Sequence, residues 1–102
     1  MKRKLCMLAA GAVLSMSVSH AQTPESLQVR SWAAACANCH GTQGQALPGM
    51  VALAGMPKTL IVQKMQDYKA GRLPATVMHQ LAKGYSDDQI GAIAAYFAAQ
   101  KP

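Results

Sequence analysis

Cys36-Ala37-Asn38-Cys39-His40 is the stretch whose residue types and spacing point to chemistry. Two thiols three positions apart can both add to the vinyl groups of one haem, and the imidazole that follows then reaches its iron. Other chemistries use the same pair of thiols. A thioredoxin-like dithiol belongs to an α/β fold, and no alternating strand pattern precedes Cys36. A structural zinc site takes four ligands, and the chain holds no second Cys-x-x-Cys pair. A plain disulfide fits the spacing but gives His40 no part. Covalently attached haem c with its iron is therefore the expected cofactor, held by Cys36 and Cys39, with His40 as the proximal ligand.

The sixth iron position separates electron transfer from ligand chemistry. Its candidates are Met50, Met56, Met65, Met78 and His79. Methionine more often fills a core than binds a metal, and Met65 sits on the apolar stripe of a helical pattern. Met50 and Met56 lie in a glycine-proline loop near the attachment site, poorly placed to reach the opposite haem face. Met78, 38 residues beyond His40, lies on a short segment able to fold back across the haem and is the expected distal ligand. His79 is the alternative, about 100° away from Met78 if the segment is helical. A thioether ligand raises the potential and fills the coordination sphere, which suits an electron carrier; an open sixth position would suit a peroxidase or gas sensor. Pro48 is a candidate to aim its carbonyl at the other ring nitrogen of His40 and set its orientation.

Helical segments must position these groups, because helical spacing recurs while no stretch after residue 21 alternates as a strand would. The fold class is all-α: three main helices, a shorter helical turn and loops wrapped around one covalent haem. The first helix opens at Thr23 as N-cap with Pro24 behind it, and places Val29, Ala33 and Cys36 on one face. Glycines and prolines from Gly41 to Pro57 mark a loop. Lys58 to Ala70 forms the second helix, with Ile61, Met65 and Tyr68 inward, Gln63, Lys64, Gln66 and Asp67 outward, and Gly71 as its stop. A short helical turn begins at Leu73-Pro74, contains Met78 and ends at Lys83 with Gly84 as a left-handed cap. The last helix carries a capping box, Ser86 with Gln89, and an apolar face of Ile90, Ile93, Ala94 and Phe97.

The chain has 102 residues, 51% hydrophobic, 14% charged and 5% aromatic, with a net charge of +6. Lys2, Arg3 and Lys4, the apolar run Leu5 to Val18 and Ser19-His20-Ala21 read as a secretory signal, residues 1–21, cleaved on export to the periplasm. The run is shorter and more interrupted than a transmembrane helix, so no membrane span is expected in the mature domain, residues 22–102. Cleavage removes three of the ten basic residues and leaves +3 with no basic cluster, which argues against nucleic acid as partner. Lys58, Lys64, Lys69, Arg72 and Lys83 read individually as solvated charges and together as a possible docking rim. Trp32, Tyr68, Tyr85, Tyr96 and Phe97 read as core or haem-packing residues. So small an exported domain needs a staple, and a large apolar group fixed by two thioethers supplies one.

The sequence resembles the cytochrome c superfamily in Cys36-Ala37-Asn38-Cys39-His40-Gly41, Met78 and the closing Ala94-Ala95-Tyr96-Phe97. It is similar, more narrowly, to the cytochrome subunit of flavocytochrome c sulfide dehydrogenase in Met65 to Gly71 and in Val77 to Tyr85. That resemblance implies Met78, ahead of Ala82-Lys83-Gly84-Tyr85, as distal ligand. It also implies an FAD-containing sulfide dehydrogenase subunit as electron donor, a downstream electron acceptor, and an electron-transfer role without catalysis by this chain. Such subunits often hold two haems, whereas one Cys-x-x-Cys-His occurs here. The alternative function is a freestanding soluble shuttle to a terminal oxidase or other redox enzyme.

Overall fold

Thr23 caps the first helix: its side chain accepts from the Ser26 amide, and Pro24 follows where a missing N–H costs nothing. The computed structural model describes Gly11, Ala12, Ser17, Ser19 and residues 21–102. The expected signal sequence therefore lies mostly outside the described residues. Four helices follow: α1 (Pro24–His40), α2 (Lys58–Lys69), α3 (Met78–Lys83) and α4 (Asp87–Ala98). A single 3₁₀ turn, Thr42–Gly44, sits in the loop after α1. The described residues hold no strand, as the all-α expectation requires, and no helix among them is long and apolar enough to cross a membrane.

Helix α4 is the hub. Both halves of the Ser86–Gln89 capping box form, and Asp87 and Asp88 face the positive helix end. Its face of Ile90, Ile93, Ala94 and Phe97 is at most 3% exposed. Helices α1 and α2 both pack on α4, and α3 packs on α2. Ala33, Ile61, Met65 and Ala82 complete one core, with Met65 in the filler role expected of it. Burying a side chain the size of Phe97 contributes about 1.5–3 kcal/mol; no charged or polar residue among those described is fully buried.

The short helix departs from the expected pattern. It begins at Met78, not at Leu73-Pro74, because Val77 has non-helical angles (φ −131°, ψ −29°) and no backbone hydrogen bond engages Leu73 to Thr76. The β-branched pair Thr76-Val77 resists helix. Gly84 is not a left-handed cap: its φ is −78°, and α3 passes through a tight turn into the Ser86 cap of α4. Gln66 and Asp67 do not simply face away, being half-buried and engaged with Asp87 and Arg72.

Candidate haem site

Helix α1 runs through the whole motif to His40, so Cys36 and Cys39 lie one turn apart on neighbouring ridges of one rigid element. Both thiols are free, Cys36 half-buried and Cys39 exposed. Burial pushes the Cys36 thiol up, with a backbone hydrogen bond partly opposing it. A redox dithiol needs the reverse, a thiol acidified by its surroundings. The described residues gather no group of three or more His, Cys, Asp or Glu side chains able to hold a metal ion, so nothing completes a tetrahedral site around the pair.

His40 is oriented by the loop that follows. Its Nδ1 lies 2.7 Å from the Val51 carbonyl oxygen. A carbonyl only accepts, so Nδ1 carries the proton and donates, leaving Nε2 with its lone pair available to a metal. The expectation that Pro48 supplies this carbonyl is corrected: Val51 does, because the loop turns further before it crosses His40. That path is set by Gly44, whose carbonyl accepts from both Leu53 N (2.9 Å) and Ala54 N (3.1 Å), while Gly55 N donates to Phe97 O (3.0 Å). Gly44 has φ +78°, and a Cβ there would come within 2.8 Å of both Ala54 N and the Phe97 ring. Gly41 (φ +84°) makes the turn out of α1, with the Gln45 carbonyl where a side chain would stand.

Met78 opens α3, half-buried, and packs on the same core cluster as Cys36. His79 is half-buried as well, and its Nδ1 is the one buried side-chain polar atom among the described residues without a hydrogen-bond partner. Met56 packs on the core, whereas Met50 is 47% exposed. The α3–α4 junction comes back to α1: burial raises the Tyr85 hydroxyl pKa, and the neighbouring Cys36 sulfur adds to the rise. The structure leaves apolar side chains in solvent, Leu47, Met50 and Val51 in the loop, Leu60 on α2, and Val77 and Leu81 on α3 and its cap. A free thiol pair, a histidine with one nitrogen committed, a thioether and exposed apolar side chains fit a covalently held haem.

Some of the basic residues do more than face solvent. Lys69 Nζ donates to the Tyr85 carbonyl (2.7 Å) and pairs with Asp87 (3.3 Å), and Gln66 donates to the same carboxylate (2.9 Å). Arg72 pairs with Asp67 through Nε and its terminal nitrogen, each at 2.7 Å. These contacts escaped sequence reasoning; the only signal was that four polar residues cluster in the last turn of α2 and just beyond it. Lys58, Lys64 and Lys83 remain exposed and without an ion-pair partner among the described residues.

Residues 29–101 match the family model for cytochrome c. The chain is 36% identical over 80 residues to cytochrome c4 of Azotobacter vinelandii, covering 69% of this chain and 38% of that one. It is 39% identical over 62 residues to the cytochrome subunit of sulfide dehydrogenase of Chlorobaculum tepidum, covering 61% and 56%. It is also 35% identical over 80 residues to the thiosulfate dehydrogenase electron acceptor of Thiomonas intermedia, covering 71% and 37%. The chain thus spans between about a third and just over half the length of these relatives.

Proposed function

The chain belongs to the cytochrome c family, an electron-transfer protein carrying covalently attached haem c, and from that premise we propose that Cys36 and Cys39 hold the haem while His40 and Met78 ligate its iron. The observation that carries this assignment is the committed Nδ1 of His40, which leaves Nε2 for a metal beside two free thiols. Bound haem supplies a one-electron ferric/ferrous couple. The chain's own residues fix the cofactor, orient the imidazole through Val51, and keep added ligands off the metal with the Met78 thioether. No residue forms a covalent intermediate with a substrate.

Residues 1–21 act in this reading as an export signal, so the domain from residue 22 works in the periplasm. Its donor is the FAD-containing subunit of a sulfide dehydrogenase, which oxidises the sulfur compound and passes electrons singly to this chain for a downstream acceptor. The 39% identity to the Chlorobaculum subunit supports this. A second reading, a freestanding carrier, is favoured by the unpaired Lys58, Lys64 and Lys83, which can steer brief, salt-sensitive encounters.

Optical spectra of the protein isolated from its host by a C-terminal tag, before and after sulfide, test both. Co-eluting flavin that sulfide bleaches while the haem turns ferrous supports the dehydrogenase subunit. A haem that a chemical reductant reduces but sulfide leaves untouched overturns that role in favour of the carrier. Absence of a haem bound through two thioethers overturns the whole assignment.

A further inference from the structure

Met78 stands on a segment that packs on α2 through the buried Ala82 but has few backbone ties of its own. Helix α3 has six residues and no side-chain N-cap bond, and the preceding Leu73 to Thr76 take part in no backbone hydrogen bond. A helix so short is unstable by itself. Both ends of the segment nevertheless meet one place, the last turn of α2. At the near end, the Asp67 carbonyl accepts from Arg72 N (2.8 Å) and the Asp67 carboxylate takes the Arg72 guanidinium. At the far end, Lys69 donates to the Tyr85 carbonyl, with Asp87 as its second partner.

We infer that the last turn of α2 is a two-handed clamp that holds the strap from Arg72 to Tyr85 closed, with Lys69 the positioning residue that keeps Met78 in place. The inference rests on the reading of Met78 as distal ligand. Lys69 is the stronger hand. Its side chain is 30% exposed against 62% for Arg72, and its ammonium meets a backbone carbonyl at 2.7 Å. A charge-assisted hydrogen bond in partial shelter outweighs an exposed ion pair. The Tyr85 carbonyl sits two residues past the end of α3, where the chain turns into the Ser86 cap of α4, so loss of its donor loosens the end of the helix that begins with Met78. The clamp thereby sets how often the thioether leaves the iron, and with it how readily an added ligand enters.

The test uses ferric holoprotein, read by the weak sulfur-to-iron charge-transfer band, by the rate of cyanide binding and by thermal midpoint. Lys69→Met keeps the stem and removes the donor; it is expected to speed cyanide binding roughly ten- to a hundredfold, the effect of losing a charge-assisted hydrogen bond from the closed state alone. Lys69→Arg should recover most of the wild-type rate, and Gln63→Met, on the exposed face of α2, should leave it unchanged. Arg72→Leu, at the more exposed hand, serves if Lys69→Met does not fold, and is expected to act in the same direction to a smaller extent. A Lys69→Met protein with a lower thermal midpoint but unchanged band and cyanide rate would overturn the clamp, showing a merely structural lysine. The ligand reading fails separately: a band absent from wild type, or persisting in Met78→Ala, removes Met78 from the iron whatever Lys69 does.

Discussion

His40 and Met78 are held in opposite ways. His40 ends a 17-residue helix whose start is capped by Thr23, and its ring is fixed by a loop that Gly44 closes on itself and Gly55 ties to α4. Most of that support is backbone, from the loop itself and from the Phe97 carbonyl. Met78 begins a six-residue helix, approached by a stretch without backbone hydrogen bonds and secured by side chains of another helix. The proximal side is thus built as scaffold and the distal side as a strap. Rigid elements hold a ligand in one geometry, whereas a strap with few backbone hydrogen bonds of its own opens at lower free energy. The asymmetry teaches where the domain yields first: ligand exchange and early unfolding belong to the Met78 side.

The sharpest way to break the comparison is Met78→Ala. Losing the thioether should lower the potential by a sizeable part of the roughly 0.8 V that axial ligation spans, and open the ferric protein to cyanide and imidazole, as redox and optical titration would show. Met65→Ala, one turn from the end of α2 and 8% exposed, should instead cost about 2–5 kcal/mol of stability and leave the potential nearly unchanged. If Met65→Ala moved the potential and Met78→Ala did not, the distal assignment would be wrong.

Gly44→Ala attacks the scaffold side. A methyl at φ +78° also meets Ala54 N and the Phe97 ring, so a loss of about 1–3 kcal/mol is expected. Because Gly44 anchors the loop that brings Val51 to His40, the damage should reach the proximal imidazole. Its signature is a shifted His40 ring proton resonance in the reduced protein. Lost stability with an unaltered His40 environment would mean that Val51 is held by something other than this turn.

What the sequence made legible follows the same divide. The Thr23 and Ser86 caps, the apolar face of α4 and the motif itself are local patterns, and each element formed where its pattern stood. Val51 in place of Pro48 was not legible, since which carbonyl crosses His40 depends on Gly44 and Phe97, far apart in the chain. Lys69 and Arg72 read as ordinary surface charges because helical periodicity describes one helix at a time; the acceptor of Lys69 lies 16 residues on. Gly84 carried the mark of a left-handed cap, yet α4 begins two residues later and the tight turn into Ser86 leaves no room for one.

The smallest expected effect sharpens the strap. Hydrogen bonds from Gln66 and then Lys69, with the Lys69 charge, hold the exposed Asp87 carboxyl below its ordinary range, roughly 3.9. A carboxylate whose folded pKa is lowered adds stability that is fully present above its unfolded pKa and is lost as pH falls through the folded one. Asp87→Asn keeps the shape and removes the charge, so it should lower the thermal midpoint slightly near neutral pH. The gap to wild type should then close as pH drops below about 4. Both Lys69 contacts share one ammonium, so Asp87→Asn also loosens the grip on Tyr85. Cyanide binding at neutral pH should accelerate, but far less than in Lys69→Met, where the Tyr85 carbonyl loses its donor altogether. A midpoint gap that stayed constant from neutral pH into acid would show that the Asp87 charge adds no stability, and a cyanide rate equal to wild type would show that Asp87 takes no part in holding the strap.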